Sequence, residues 1–175
     1  MKTTQYFTNY FKNIYQNLES IEPGQLEQAA SMVWAAHKAG KKVIISGNGG
    51  SAAMASHVAV DITKAASIRA INFNEADLIT CFANDYGYEN WVAKALEAYA
   101  DNGDLLILIS SSGKSQNILN AAEKANEIGL SVITVSGFLK DNPLRKRGDL
   151  NLWVDCTEYN IVEMTHHVWL VAIID

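Results

Sequence analysis

The chain has 175 residues, 49% hydrophobic and 19% charged, with a formal net charge of −5. That composition supports one packed domain and excludes an intrinsically disordered chain. The acidic balance and the lack of a Lys/Arg-rich block exclude broad electrostatic binding to nucleic acid. Two cysteines, Cys81 and Cys156, are too few for a disulfide framework and lack metal-type spacing.

The opening MKTTQYFTNYF is amphipathic and lacks the apolar core and cleavage site of a signal peptide. No run approaches the ~20 apolar residues of a membrane span, so the expected setting is the cytoplasm. Thr8 to Leu18 has helical spacing, with Phe7, Tyr10, Phe11, Ile14, Tyr15 and Leu18 on one side. Pro23 suits the first turn of a second helix, Gly24 to Ala39, which Gly40 stops. This reads as an N-terminal helical hairpin with an outer face free to meet another subunit.

Lys42 to Ser46 predicts a first strand, its β-branched run continuous as in a strand buried on both faces. Ser51 to Thr63 predicts a helix, and Ala70 to Phe73 a short strand. Helices follow over Asp77 to Phe82 and Asn90 to Ala100, separated by Asn84-Asp85-Tyr86-Gly87. Asp104 to Ile109 is a second buried strand, and a helix then runs to Ile128 with Gly129 closing it. Strands at Ser131 to Val135 and Leu150 to Val154 flank a short turn or helix at Pro143 to Arg147. A last helix starts at Glu158 and shows no stop signal before Asp175. Strands alternating with helices imply an α/β fold, a parallel sheet covered on both faces. Its ligand would lie at the carboxyl ends of the strands, at a switch point in strand order.

Two polar loops follow buried strands and would share that edge. In the first, Gly47-Asn48-Gly49-Gly50-Ser51, the glycines permit positive φ and close backbone approach to a ligand. Ser51 is placed to N-cap the next helix, whose free first-turn N–H groups suit an anion such as phosphate. The second loop, Ser110 to Ser115 (SSSGKS), offers Ser110, Ser111, Ser112, Ser115 and the Gly113 amide as neutral phosphate donors. Lys114 adds a positive charge or faces water. Two other motifs fail. Leu108 stands where a P-loop needs its upstream glycine. The first loop fits a dinucleotide fingerprint, but Ile71, Asn72 and Phe73 supply no acidic residue for a ribose.

The blocks GNGGSA, HVAVD, ANDYGYE and DLLILISSSGKSQNIL, in that order and spacing, resemble the sugar isomerase (SIS) domain, most closely its phosphoheptose isomerase branch. The resemblance runs from the N-terminal helices to Glu163. It implies a flavodoxin-like three-layer α-β-α sandwich forming a single domain over residues 1–175. Residues 1–40 would be used in oligomer packing and 41–175 would form the α/β core. It also implies a homotetramer with sites between subunits, acting on a small phosphorylated sugar by interconverting sedoheptulose 7-phosphate and a heptose 7-phosphate. Ser110, Ser112 and Ser115 would bind phosphate, with Ser111 in the same loop. Asn48, Ser51 and Asp85 would contact the sugar, beside Gly49 and Gly50.

Aldose–ketose isomerisation needs a base near the carbon acid and a group that polarises the carbonyl. His57 and Asp61 stand four apart on one helix face and are the candidate catalytic pair. In the resembling enzymes this His, and a Glu at the Asp61 position, serve in the site and can ligate zinc. A Gln and a His on the last helix complete that set. Here those positions hold Val162 and Leu170. Glu163, His166 and His167 lie nearby, with Glu163 and His167 an i,i+4 pair, and His167 is a further candidate ligand. Three readings stay open: an active isomerase with local replacements, a non-catalytic phosphosugar-binding relative of the replication-initiator-associating kind, and an unrelated nucleotide-binding α/β protein.

Overall fold

The computed structural model describes residues 3–175. Five parallel strands form one sheet: β1 (Val43–Gly47), β2 (Ala70–Asn72), β3 (Leu105–Ser110), β4 (Ser131–Ser136) and β5 (Leu150–Trp153). Their spatial order is β2-β1-β3-β4-β5, the flavodoxin-like order, with its switch point between β1 and β3. The register sets Gly47 beside Ile109, so the ends of β1 and β3 are neighbours.

Period-two alternation sorts the strand side chains into two cores. Val43, Ile45, Leu105, Ile107 and Ile109 pack with α2 (Pro23–Lys38), α3 (Gly50–Lys64) and α7 (Tyr159–Ile174). Ile44, Leu106, Leu108 and Val132 face α5 (Trp91–Tyr99) and α6 (Gln116–Glu127), with α4 (Ala76–Tyr86) at the margin. This is the expected three-layer sandwich.

The N-terminal helices are present. α1 (Thr3–Leu18) begins earlier than its apolar spacing predicts, and its main helix contact is α7. Trp169 Nε1 on α7 donates to Leu18 O at 3.0 Å. None of α1 is buried, and Tyr6, Phe7, Phe11 and Tyr15 are exposed. α7 is apolar nearly all round, yet Met164 and Val168 are exposed as well.

A further boundary differs from the sequence reading. Asn84, Asp85 and Tyr86 look like turn residues but continue α4. The positive φ that ends the helix falls on Gly87 alone, at +83°. Among the described residues, no helix is long and apolar enough to cross a membrane.

Candidate active site at the β1/β3 switch point

The β1–α3 turn depends on Gly49, whose φ of +55° and ψ of −120° exclude a side chain with Cβ. A Cβ at Gly47 would come within 2.7 Å of Ser51 Cβ, so glycine there lets helix and strand close up. In the β3–α6 turn, Gly113 takes φ +63° and donates to Ser110 O at 2.9 Å. The buried Asn142 side chain fills the space where a Cβ at Gly113 would stand.

The two turns meet in one cavity of about 260 Å³. Asn48, Gly49, Gly50 and Ser51 line it from one side, and Ser110, Ser111, Ser112 and Ser115 from the other. Asn48 and Asn117 tie the turns together by a reciprocal amide pair, at 2.9 Å and 2.8 Å. Tyr88 Oη donates to Asn48 Oδ1 at 3.1 Å. Asn48 therefore spends its side chain holding the two loops in register. Asn117 and Tyr88 were missed in the sequence because nothing local marks a partner 69 or 40 residues away.

The serines differ in state. Ser110 Oγ donates to Ser115 Oγ at 3.3 Å, and Ser112 Oγ accepts the Lys114 N–H at 3.3 Å. Ser111 Oγ is buried without a protein partner inside the cavity wall, a donor held ready for something else. Lys114 is exposed and lies outside the cavity lining. An anion here would be met by hydroxyls, amides and the α6 N-terminus rather than by a cation.

α7 closes the cavity with Tyr159 and Glu163. The sequence pairs Glu163 with His167 at i,i+4 spacing beside the Val162 position, without showing that it faces the β1–α3 turn. Val162 and Leu170, at the two family positions, are buried in the core. A Cβ at Gly137 would come within 2.7 Å of Val162 Cγ1, so Val162 faces backbone and not ligand. Asp85 also stands apart. It lies on the exposed side of α4, accepts from Asn84 Nδ2 at 2.9 Å, and does not line the cavity. Tyr88 reaches the site from that segment instead.

His57 and Asp61 lie farther along the α3–α7 seam, outside the cavity lining. His57 Nδ1 is 2.8 Å from His167 Nε2, and His57 Nε2 is 3.0 Å from Asp61 Oδ2. Partial burial, then the nearby His57, hold His167 below the ordinary imidazole value, while Asp61 opposes them. A zinc ion is the cofactor that the resemblance allows, but these donors do not fit one. His57 turns one nitrogen to each neighbour, so the three groups are strung in a line rather than aimed at a point. Among the described residues, no group of three or more His, Cys, Asp or Glu is placed to hold a metal. What the line of three can do is pass a proton.

His166, by contrast, is wholly buried. Its Nε2 bonds Ser136 O at 3.0 Å, and burial pushes its pKa down to about 4 against that bond. It is a packed neutral imidazole.

The family profile described as SIS domain matches residues 5–137. The chain belongs to the SIS domain family. A phosphoheptose isomerase from Campylobacter concisus is 39% identical over 150 residues, which is 82% of this chain and 78% of that protein. Solved structures of phosphoheptose isomerases from Francisella tularensis and Neisseria gonorrhoeae each superpose with a TM-score of 0.91 at 26% identity. Both cover 99% of this chain and 97% of theirs. The SIS fold is thus shared over nearly the whole chain.

Proposed function

We propose that this protein is a sugar-phosphate aldose–ketose isomerase of the sedoheptulose 7-phosphate type. The observation that carries the reading is the single cavity in which the Asn48 turn and the Ser110–Ser115 turn converge on a switch point. The phosphate sits on Ser110, Ser111, Ser112 and Ser115, and the sugar chain runs past Gly49, Gly50 and Ser51. The Asp61–His57–His167 line then serves the reacting end. It takes the proton from the hydroxyl-bearing carbon beside the carbonyl, the electron pair moves to the carbonyl oxygen, which takes a proton, and the other enediol hydroxyl gives up its proton as the former carbonyl carbon is reprotonated.

The exposed aromatics of α1 and the apolar outer side of α7 support a homotetramer with sites between subunits, the first 40 residues serving as packing surface. A helix apolar all round is normally covered on all sides. Light scattering should give four copies. The proposed compartment is the cytoplasm, in keeping with two unpaired thiols, Cys81 and Cys156.

The test is proton exchange from the carbon of sedoheptulose 7-phosphate into deuterated water, read beside a thermal-shift titration. Exchange together with a shift is expected. A shift without exchange would overturn the catalytic reading in favour of the phosphosugar-binding one. No shift with any sugar phosphate would overturn both.

A further inference from the structure

Two helix N-termini point into the cavity, α3 behind Gly49 and α6 behind Ser115, and an isolated reading would let either take the phosphate. They are not equivalent. In both helices the third and fourth amides donate to the cap carbonyl, Ala52 and Ala53 to Gly49 O and Ile118 and Leu119 to Ser115 O, but at α3 the Ser51 N–H is taken as well, by Asn48 O at 3.0 Å. Glu163 then lies over the start of that helix. A Cβ placed on Gly50 would collide with its carboxylate. The chain's own negative charge therefore lies beside the α3 N-terminus, a favourable place for it next to the helix dipole. At α6, the serine hydroxyls surround the opening and Ser111 Oγ is buried without a partner. Glu163 is the only carboxylate among the described residues lining the cavity.

From this asymmetry we propose that Glu163 is a specificity-determining residue. It orients the ligand with its one phosphate on Ser110–Ser115, accepts hydrogen bonds from sugar hydroxyls, and repels a second phosphoryl group. The inference rests on the sugar-phosphate reading above and adds polarity to it. A carboxylate accepts from hydroxyls and cannot donate to a phosphoryl oxygen at neutral pH. A ligand carrying a second phosphate would set two like charges in one small cavity. A polyhydroxylated monophosphate meets an acceptor where the bisphosphate meets repulsion, so the mono-ester is selected by charge as well as by shape.

The experiment measures affinities of inorganic phosphate, sedoheptulose 7-phosphate and sedoheptulose 1,7-bisphosphate for the full chain, Glu163→Gln and Gly50→Ala. Gln keeps the shape and removes the charge. Ala at position 50 pushes the carboxylate aside through its added Cβ and leaves the charge on the chain. Wild type should prefer the monophosphate over the bisphosphate by at least about tenfold. In Glu163→Gln, inorganic phosphate and the bisphosphate should tighten on the order of tenfold and the monophosphate should weaken a few-fold. Gly50→Ala should move the preference in the same direction. An unchanged mono-to-bisphosphate ratio in both variants would overturn the proposal, and equal phosphate affinity in wild type and Glu163→Gln would do so too. Inorganic phosphate reads the charge effect without any sugar chemistry. A chain that tightens on phosphate but never exchanges a proton would therefore sink the isomerase reading and leave Glu163 standing. The reverse result would do the opposite.

Discussion

The two edges of the same parallel sheet solve opposite problems. At the amino edge, polar groups are paired among themselves. The wholly buried Asp104 accepts Lys42 N–H at 3.0 Å and Asp101 N–H at 2.8 Å, and its Oδ2 lies 2.6 Å from Lys42 Nζ. Burial draws the Lys42 ammonium down, but its bonds to Asp101 and Asp104 outweigh that and leave it raised. Asp149 Oδ2 likewise accepts Val132 N–H at 2.8 Å. At the carboxyl edge the groups are mostly neutral, and the buried Ser46 Oγ, Ser111 Oγ and His166 Nδ1 have no partner in the protein. A closed edge stabilises the chain; an edge with polar groups left over can receive something from outside.

The largest test of that contrast is Asp104→Ala. It removes one of the two carboxylates paired with Lys42 and leaves two amides without their acceptor, and should cost about 2–4 kcal/mol. At 2–4 °C per kcal/mol for a chain of this size, the melting temperature should fall by about 10 °C. Affinity of the still-folded protein for sedoheptulose 7-phosphate, measured well below that temperature, should stay within twofold. A matching loss of affinity would mean that the edges are not separable.

His167→Ala acts at the other edge. It should slow proton exchange by about 10²-fold, with affinity changed less than threefold and melting nearly unmoved. A comparable loss of affinity would demote His167 to a packing residue.

His166 sharpens the comparison through pH. Its folded pKa, about 4, lies below the ordinary imidazole value of 6.5. The folded chain therefore binds fewer protons than the unfolded chain between those values. The stability is whole above about pH 6.5 and is lost as pH falls towards 4. Between pH 7 and pH 5 this one group should cost about 2 kcal/mol. Urea midpoints for wild type and His166→Gln should diverge by that amount, and parallel curves would show that the imidazole is not the source.

The smallest effect belongs to Ser112→Ala. Loss of one hydroxyl bond to a charged group should weaken phosphate binding by about tenfold. Melting of the unliganded protein should shift by less than about 2 °C. Unchanged phosphate affinity would move the anion off this loop.

Much of this was legible in the chain. DLLILI and VIIS are continuous apolar runs, and a strand buried on both faces leaves that mark whatever surrounds it. The loops were legible because the need for positive φ at Gly49 and Gly113 is a local demand. Asn84 and Asp85 misled because turn-favouring residues also tolerate a helix when the next glycine supplies the stop.

Local residue patterns specify the strands, the two-faced burial of β1 and β3, and the order of the glycine turns, and hence the sheet edge that the two loops share. All of these follow from φ/ψ limits and side-chain periodicity within a few residues. Only the tertiary structure decided that the start of α7 covers the cavity, that Glu163 lies on Gly50, that Asn117 and Tyr88 hold Asn48, and that His167 meets His57. Helical spacing says which side chains share a face, but not which other helix that face will meet. That choice is made when the sheet brings distant segments together.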